Sequence, residues 1–188
     1  MFDTNDIRKG LKILLDGVPY IVVDFQFVKP GKGQAFTRTK IKNLRNHNVI
    51  ERTFRSGDRL EPADVEMCSM NYIYQDGEDF VFMTPESGEQ TTISGDTVGE
   101  AKDFLHDGLG VEVTFFKGEP MDIQLPPHVT LQITASDPGV RGDTASNVTK
   151  PATLSSGATI QVPLFIDEGE WIKVDTRTRE YMERVNRR

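Results

Sequence analysis

Short runs of alternating apolar and polar residues recur along the whole chain, and a period of two is typical of β-strands. The clearest pair flanks a Pro/Gly cluster. Val23, Phe25 and Phe27 alternate with other residues before it, and alternation resumes between Ala35 and Ile41 after it. This arrangement predicts a β-hairpin whose first strand is half-buried. Further short strands are predicted at 11–15, 49–54, 71–75, 79–83, 111–116, 120–125, 129–135, 158–163, 171–175 and 180–185.

One short helix is predicted in the middle of the chain. Thr97 and Glu100 have the spacing of a capping box, and Gly108 stands where a helix could end. The apolar residues that share helical spacing are Val98, Ala101, Phe104 and Leu105. Many short strands with one short helix predict an all-β protein built from small antiparallel barrels, SH3-like or oligonucleotide-binding (OB) in type.

Charge divides the chain into three segments of similar size. Residues 1–62 carry twelve Lys and Arg against seven Asp and Glu, a net charge of +5. Residues 63–128 carry two against fourteen, a net of −12, and residues 129–188 carry eight of each. An even mixture of charge would not divide this way, so we interpret the three segments as three domains. Domains near 60 residues are marginal alone, and we expect them to pack against one another.

Composition restricts the class of protein. With 37% hydrophobic and 27% charged residues among 188, the chain is typical of a folded protein rather than a disordered one. No apolar run approaches the roughly 18 residues needed to span a bilayer, and the first residues do not have the pattern of a secretory signal. Cys68 is the single cysteine, which excludes an internal disulfide. We expect a cytoplasmic protein without a membrane partner.

The predicted hairpin is strongly basic. Between Lys29 and Arg59, nine basic side chains face only Glu51 and Asp58, a local net charge of +7. A solvated charged surface is the simpler interpretation. Because acidic residues are concentrated in the next segment, the field of this surface is unopposed nearby, which favours contact with phosphates. The basic residues are Lys29, Lys32, Arg38, Lys40, Lys42, Arg45, Arg52, Arg55 and Arg59.

Lys32 stands at the tip of the hairpin between Gly31 and Gly33, after Pro30. The sequence is compatible with an ordinary turn that has a soluble residue at its apex. Alternatively, six-residue arms would project the tip by about 20 Å, and the glycines would let it enter a narrow space. A lysine so placed could touch a phosphate or accept a covalent modification. It lacks the spacing of a P-loop, and an exposed tip would not desolvate the amine for Schiff-base chemistry.

No catalytic or metal-binding constellation is recognisable in the sequence. His47, His106 and His128 are far apart and lack the cysteine or carboxylate spacing of a metal site. No serine or cysteine occupies a recognisable nucleophile motif. We therefore predict no catalytic residues, no metal and no cofactor, and a protein that is not an enzyme.

Motifs spaced over the whole chain resemble the bacterial translation elongation factor P family. Near the N-terminus these are Asp6-Ile7-Arg8-Lys9-Gly10 and the run from Phe27 through Phe36. The C-terminal motifs are more specific. They comprise Gly142-Asp143-Thr144, Lys150-Pro151-Ala152, Gly157, Val162-Pro163-Leu164-Phe165-Ile166, Gly169, Ile172-Lys173-Val174-Asp175-Thr176-Arg177, Tyr181 and Arg184.

The resemblance implies an SH3/KOW-like domain at 1–62, an acidic OB-fold domain at 63–128 and a C-terminal OB-fold domain at 129–188, arranged in an L shape. It also implies a monomeric factor that binds the 70S ribosome between the peptidyl-tRNA (P) and exit (E) sites. Such a factor stabilises peptidyl-tRNA, stimulates peptide bond formation and relieves stalling at consecutive prolines.

Family roles carry over to several positions of this chain. Lys32, in the tip loop with Pro30, Gly31 and Gly33, would contact the acceptor end of P-site tRNA. The Lys32 tip followed by Gln34-Ala35-Phe36 is similar to the subgroup in which a lysyl-tRNA-synthetase-like ligase adds a β-lysyl extension. Gly142, Asp143 and Thr144 would contact mRNA in the E site, and Tyr181 and Arg184 would lie near the small subunit.

Two alternative functions compete with that of a translation factor. A general single-stranded nucleic-acid-binding protein would use the same folds and would need stacking aromatic residues on an exposed basic face. An enzyme with Lys32 as nucleophile would need a partner base, which the sequence does not supply.

The chain departs from the family pattern in two places. Thr178-Arg179 stands where many family members have a Thr-Gly turn, and Ser155-Ser156 replaces a more usual acidic or threonine pair.

Overall fold

The computed structural model describes residues 1–137 and 148–186. Their secondary structure is dominated by strands, which confirms the predicted all-β class. The strands are β1 (Phe2–Asp3), β2 (Lys12–Leu15), β3 (Val18–Val28), β4 (Phe36–Asn43), β5 (Val49–Arg55), β6 (Arg59–Pro62), β7 (Val65–Asp76), β8 (Asp79–Met83), β9 (Gln90–Ser94), β10 (Gly110–Phe116), β11 (Glu119–Gln124), β12 (His128–Ser136), β13 (Thr149–Leu154), β14 (Thr159–Pro163), β15 (Trp171–Asp175) and β16 (Tyr181–Val185).

These strands form three antiparallel sheets. Their hydrogen-bonded orders are β1-β6-β2-β3-β4-β5, then β11-β10-β7-β8-β9, then β14-β13-β12-β15-β16. By contacts the chain forms two compact units, one of Met1–Met67 with Thr114–Asp122 and the other of Cys68–Val113 with Ile123–Arg188. The domain boundaries near residues 62 and 128 stay a prediction.

The first unit has two apolar clusters. The larger lies inside the first sheet, where Ile13 and Ile41 are fully buried. The smaller joins Leu44, at the end of the β4 hairpin, to Phe116 and Met121 of β10 and β11. His47 Nε2 lies 3.0 Å from the Met121 carbonyl oxygen, so a polar contact accompanies the second cluster.

In the second unit, burial follows the period of two that the sequence predicts. Along β12, Val129, Leu131 and Ile133 are buried, and the residues between them are not. Burying alternate side chains places one face of the sheet against the core and leaves the other to solvent. The register is therefore fixed, because a slip by one residue would expose the apolar set.

The helical segment begins earlier than predicted. An α-helical turn covers Gly95–Val98, and a 3-10 helix, Gly99–Phe104, continues it. Ser94 rather than Thr97 caps the turn, because its hydroxyl accepts a hydrogen bond from the Thr97 amide. The apolar face survives this shift, since Val98 and Phe104 are buried. A second 3-10 helix covers Thr4–Asp6.

Several strands have no counterpart in the sequence prediction. They are β1, β6, β9, β13 and the first halves of β3 and β7. β13 contains Pro151, which lowers the expectation of a strand, yet its neighbours Lys150 and Ala152 are buried. In the described residues no helix is long and apolar enough to cross a membrane.

Candidate functional site

The hairpin of β3 and β4 extends past the strands that support it. β2 pairs with β3 only from Val18 to Ile21, whereas β4 pairs with β3 as far as Val28. Residues 23–28 of β3 and 36–40 of β4, here called the hairpin arm, therefore have an open edge on the β3 side. Six residues of strand span about 20 Å, so the arm has the reach that the sequence predicts.

The tip, residues 29–35, is fastened only at its return side. Gln34 Nε2 donates to the Ser56 carbonyl oxygen at 2.8 Å, and the Ser56 amide donates to the Ala35 carbonyl oxygen at 3.0 Å. Lys32 is exposed, and among the described residues it has no hydrogen-bond or ion-pair partner. Its ammonium is thus available to a partner outside the chain.

The presence of glycine has a different explanation at each of the two tip positions, 31 and 33. Gly33 has a φ of +111°, a conformation that disfavours other residues. Gly31 has no such φ, and a Cβ placed there would meet nothing within 4 Å. Packing within the chain therefore does not require glycine at position 31. A slim backbone at this point is useful only where something else approaches the tip closely.

Cations occupy both faces of the arm rather than one. Residues directly opposite each other in an antiparallel pair lie on the same face. One cross-strand row is Asp24, Lys40 and Glu51, and the next on that face contains Arg38, which pairs with Glu51 at 3.6 Å. Arg52 stands on the other face, in a row with Thr39. The net charge of the hairpin is therefore least opposed on the Arg52 face and at the tip.

The prediction that the first strand is half-buried is wrong for the arm. Val23, Phe25 and Phe27 keep 37%, 41% and 59% of their surface exposed. The alternation is real, since Thr37 and Thr39 on the same face are buried. β2 begins only at Lys12, opposite Ile21, however, so no described strand covers the outer edge of β3 along the arm. Sequence periodicity predicts which side chains share one face of a strand, but it does not predict whether another element covers that face.

The positions near the C-terminus form a separate surface. Arg184 Nη1 lies 3.2 Å from Glu170 Oε1, and its guanidinium lies 5.5 Å from the centroid of the Phe165 ring. Phe165 is 58% exposed. Partial burial raises the pKa of the Tyr181 phenol. Tyr181 and Arg184 lie on the same strand, β16, whose residues are exposed or half-buried. Gly142, Asp143 and Thr144 lie outside the described residues.

A contact that sequence reasoning missed fastens the last hairpin. Arg179 Nη2 lies 2.8 Å from Asp103 Oδ2, and its guanidinium lies 5.1 Å from the centroid of the Phe104 ring. Arg179 has a φ of +63°, which explains why glycine suits this turn in the family. The signal in the sequence was this departure, but nothing in it identified Asp103 as the partner.

The residues described offer little for metal or acid–base chemistry. No group of three or more His, Cys, Asp or Glu among them could hold a metal ion. Cys68 is a free, half-exposed thiol. What the described residues provide is a projecting, cationic hairpin with a lysine at its end that none of them contacts.

Three antiparallel sheets, the first with a projecting basic hairpin, define an all-β protein built from small domains. Family models cover almost the whole chain. The elongation factor P KOW-like domain matches residues 3–60, the elongation factor P OB domain matches 65–123, and the elongation factor P C-terminal domain matches 129–184. The chain belongs to the elongation factor P family and is a translation elongation factor.

Full-length relatives agree with the family models. Elongation factor P of Coprothermobacter proteolyticus is 49% identical over 185 residues, which cover 98% of this chain and 100% of the relative. Elongation factor P of Desulforapulum autotrophicum is 50% identical over 186 residues, 99% of this chain and 100% of the relative. These matches confirm the family that the sequence motifs indicated.

A solved structure supports the fold. "Eukaryotic translation initiation factor 5A from Methanococcus jannaschii" superposes with a TM-score of 0.53 at 21% identity. The match covers 66% of this chain and 91% of that protein. At this identity the likeness shows the fold alone.

Proposed function

We propose that this factor binds the 70S ribosome between the P and E sites and contacts the acceptor end of peptidyl-tRNA through Lys32. The observation that carries the proposal is the arm itself. It is an extended hairpin with an open edge and a glycine-flanked lysine that no described residue contacts. Family membership supplies the ribosome as the partner.

The proposed activity is stimulation of peptide bond formation at consecutive prolines. The pyrrolidine ring fixes φ and makes the amine a constrained nucleophile, so prolyl substrates reach the attack geometry poorly. A factor that holds the acceptor end still lowers the entropic cost of reaching that geometry. In this proposal the factor supplies no new bond chemistry.

Lys32 is also the proposed site of a β-lysyl extension, added by a lysyl-tRNA-synthetase-like ligase. Its exposure and lack of a described partner make the amine accessible to a modifying enzyme. The extension would lengthen the tip and add hydrogen-bond donors while it keeps positive charge. We assign the E-site mRNA contact to Gly142, Asp143 and Thr144, and a small-subunit contact to Tyr181 and Arg184.

The rate of triproline synthesis in a reconstituted translation system tests the proposal. Protein purified from its own host should accelerate the reaction, and Lys32→Ala should reduce the rate close to that without the factor. Lys102→Ala is a matched control, because Lys102 is also an exposed lysine and it lies in the second unit, outside the arm. Equal rates with the native protein and Lys32→Ala would remove the lysine from the mechanism. No acceleration by the native protein would contradict the function.

A general single-stranded nucleic-acid-binding protein is the second candidate, and one observation favours it. Exposed aromatic side chains, Phe25 and Phe27, stand on the arm beside its cations, as that candidate requires. A translation factor can use the same surface on ribosome-bound RNA. A strong preference for ribosomes that carry peptidyl-tRNA over a free oligonucleotide, across a range of salt, would separate the two.

A further inference from the structure

Two phenylalanines on the hairpin arm are exposed without a structural reason. Phe25 is 41% exposed and Phe27 is 59% exposed. Both stand on the part of β3 whose outer edge no strand covers. Exposing two aromatic rings side by side forgoes the stabilisation that their burial would give, so the pair is better explained by a ligand than by the fold.

The strand register places the two rings on one face. Phe25 is opposite Thr39, which is opposite Arg52, and Phe27 is opposite Thr37, which is opposite Phe54. Thr39 hydrogen-bonds the Arg52 carbonyl oxygen, and both threonines are buried. The platform on which the rings stand is therefore ordered and cannot slip in register.

Charge on this face favours an anionic ligand. Within the two described rows that contain the phenylalanines, no carboxylate is present, and exposed Arg52 is the single ionised side chain. The opposite face carries Asp24 and Glu51 instead. Lys29 follows Phe27 by two residues, and Lys32 follows at the tip. A protein partner that covered the rings would need an acidic rim, whereas an RNA strand brings phosphates with every base.

We propose that Phe25 and Phe27 form a stacking platform for the unpaired bases of a single-stranded RNA end, with Arg52 and Lys29 beside its phosphates. This deepens the proposed function, on which it rests, by naming a second contact surface beside Lys32 and the chemical class of its ligand. Aromatic residues on a sheet surface stack bases without regard to sequence, because every base has a π-face.

The spacing of the pair is suited to this role. Side chains two residues apart on a strand are separated by about 6.8 Å, at roughly 3.4 Å per residue. Successive stacked bases rise by about 3.4 Å, so the two rings are two rises apart and suit an unpaired strand with one base between them or with its bases separated from each other. A short unpaired strand could lie along β3 with its end towards Lys32. The platform would then orient the same RNA end that the lysine contacts.

Binding of an RNA hairpin with a short unpaired 3′ overhang, labelled with fluorescein and measured by fluorescence anisotropy, tests the platform. Leucine keeps apolar surface and removes the π-face, so Phe25→Leu with Phe27→Leu should weaken binding by about tenfold or more. Phe27→Trp should bind at least as tightly as the native protein. Val49→Ala is the control, because Val49 is an apolar residue 54% exposed on neighbouring β5 and pairs with Lys42 rather than with either ring row.

Proton NMR supplies a readout that a structural role would not move. Stacking places each ring in the ring current of a base, so the Phe25 and Phe27 ring protons should shift upfield when the RNA is added. Melting temperatures of the leucine variants should stay near the native value, since the side chains are 41% and 59% exposed and leucine keeps part of their apolar surface.

Two results would overturn the proposal. Leucine variants that bind the RNA within about twofold of the native protein, or ring protons that do not shift, would exclude stacking. Leucine variants that keep RNA affinity but lose stimulation of triproline synthesis would identify a protein surface as the ligand. Failure of the proposed function is distinguishable, because it would appear as an inactive native protein in the triproline assay while the RNA titration still showed stacking.

Discussion

The hairpin arm and the turn between β15 and β16 are both hairpin ends with a basic side chain near the apex, yet they are built in opposite ways. At the tip of the arm, Lys32 has no described partner. In the turn, Arg179 is held by Asp103 and by the Phe104 ring. The difference separates a cation that no described residue contacts from a cation that holds two segments of the second unit together.

The two regions also differ in the hydrogen bonds that hold their backbones in place. Asp175 accepts hydrogen bonds from the amides of Arg177 and Thr178, and the Thr176 hydroxyl donates to the Pro126 carbonyl oxygen. The tip of the arm has one side-chain tie, from Gln34 to Ser56. A rigid turn suits internal packing, and a slim, lightly tied tip suits entry into a partner.

The largest expected effect is a difference in stability between alanine substitutions of two phenylalanines in one cross-strand row. Phe54 is 6% exposed and belongs to the core, so Phe54→Ala should lower the free energy of unfolding by about 3–5 kcal/mol. Phe27, in the same row, is 59% exposed, and Phe27→Ala should cost less than about 1 kcal/mol. Urea denaturation measures both. Equal losses would mean that the arm is part of the core and not a free surface.

Substitution of Arg179 should separate its contacts from its backbone strain. Arg179→Ala removes the ion pair and the cation–π contact and keeps a non-glycine residue at positive φ, so it should cost about 2 kcal/mol. Arg179→Gly removes the same contacts but relieves the backbone, and should cost about 1 kcal/mol less than alanine. Thermal melts of the two variants measure the difference. An alanine variant as stable as the native protein would show that the contact contributes nothing.

The tip glycines provide a smaller and more local comparison. Gly33 has a φ of +111°, so Gly33→Ala should lower stability by about 1 kcal/mol. Gly31 has open space and no such φ, so Gly31→Ala should leave the melting temperature unchanged while it reduces stimulation of triproline synthesis. A fully active Gly31→Ala variant would contradict the inference that the tip must be slim.

The smallest effect is a dependence on pH. Hydrogen bonds from the Thr178 and Arg177 amides lower the pKa of the Asp175 carboxyl. A lowered folded pKa means that the contribution to stability is complete above the unfolded value, near 3.9, and is lost as the pH falls through the folded pKa. The carbon NMR shift of the carboxyl should therefore titrate with a midpoint below 3.8, the ordinary value. A midpoint at or above that value would show that the two amide hydrogen bonds do not stabilise the ionised Asp175 carboxylate.

Much of the fold could be predicted because strand periodicity is a local property. The alternation around Phe25 and Phe27 located the second half of β3, and the Pro-Gly-Lys-Gly run located the tip. The exposure of the two rings could not be predicted, since it depends on where β2 begins along β3. The start of the helix was misplaced because Ser94 and Thr97 are both good caps, and contacts of the folded chain select between them.

The candidate site was predictable to the same extent. Lys32 could be proposed as a candidate from its flanking glycines and from the family resemblance, because both are visible in a short stretch of sequence. Asp103 and Arg179 are 76 residues apart, and their pairing depends on how two sheets of the second unit pack. Such a contact has no signature within either segment. Its only trace was an arginine at a turn where the family often has glycine.

Crosslinking from the tip to ribosome-bound RNA tests most directly the central claim that the arm carries Lys32 to peptidyl-tRNA. Cys68 is the only cysteine, so Cys68→Ser allows a photoreactive maleimide to be attached at Lys32→Cys alone. A label at Lys9→Cys serves as the control. We predict crosslinks from position 32 to the 3′-terminal nucleotides of P-site tRNA and none from position 9. Crosslinks from position 32 that reach only ribosomal RNA or protein, with peptidyl-tRNA present, would contradict the claim.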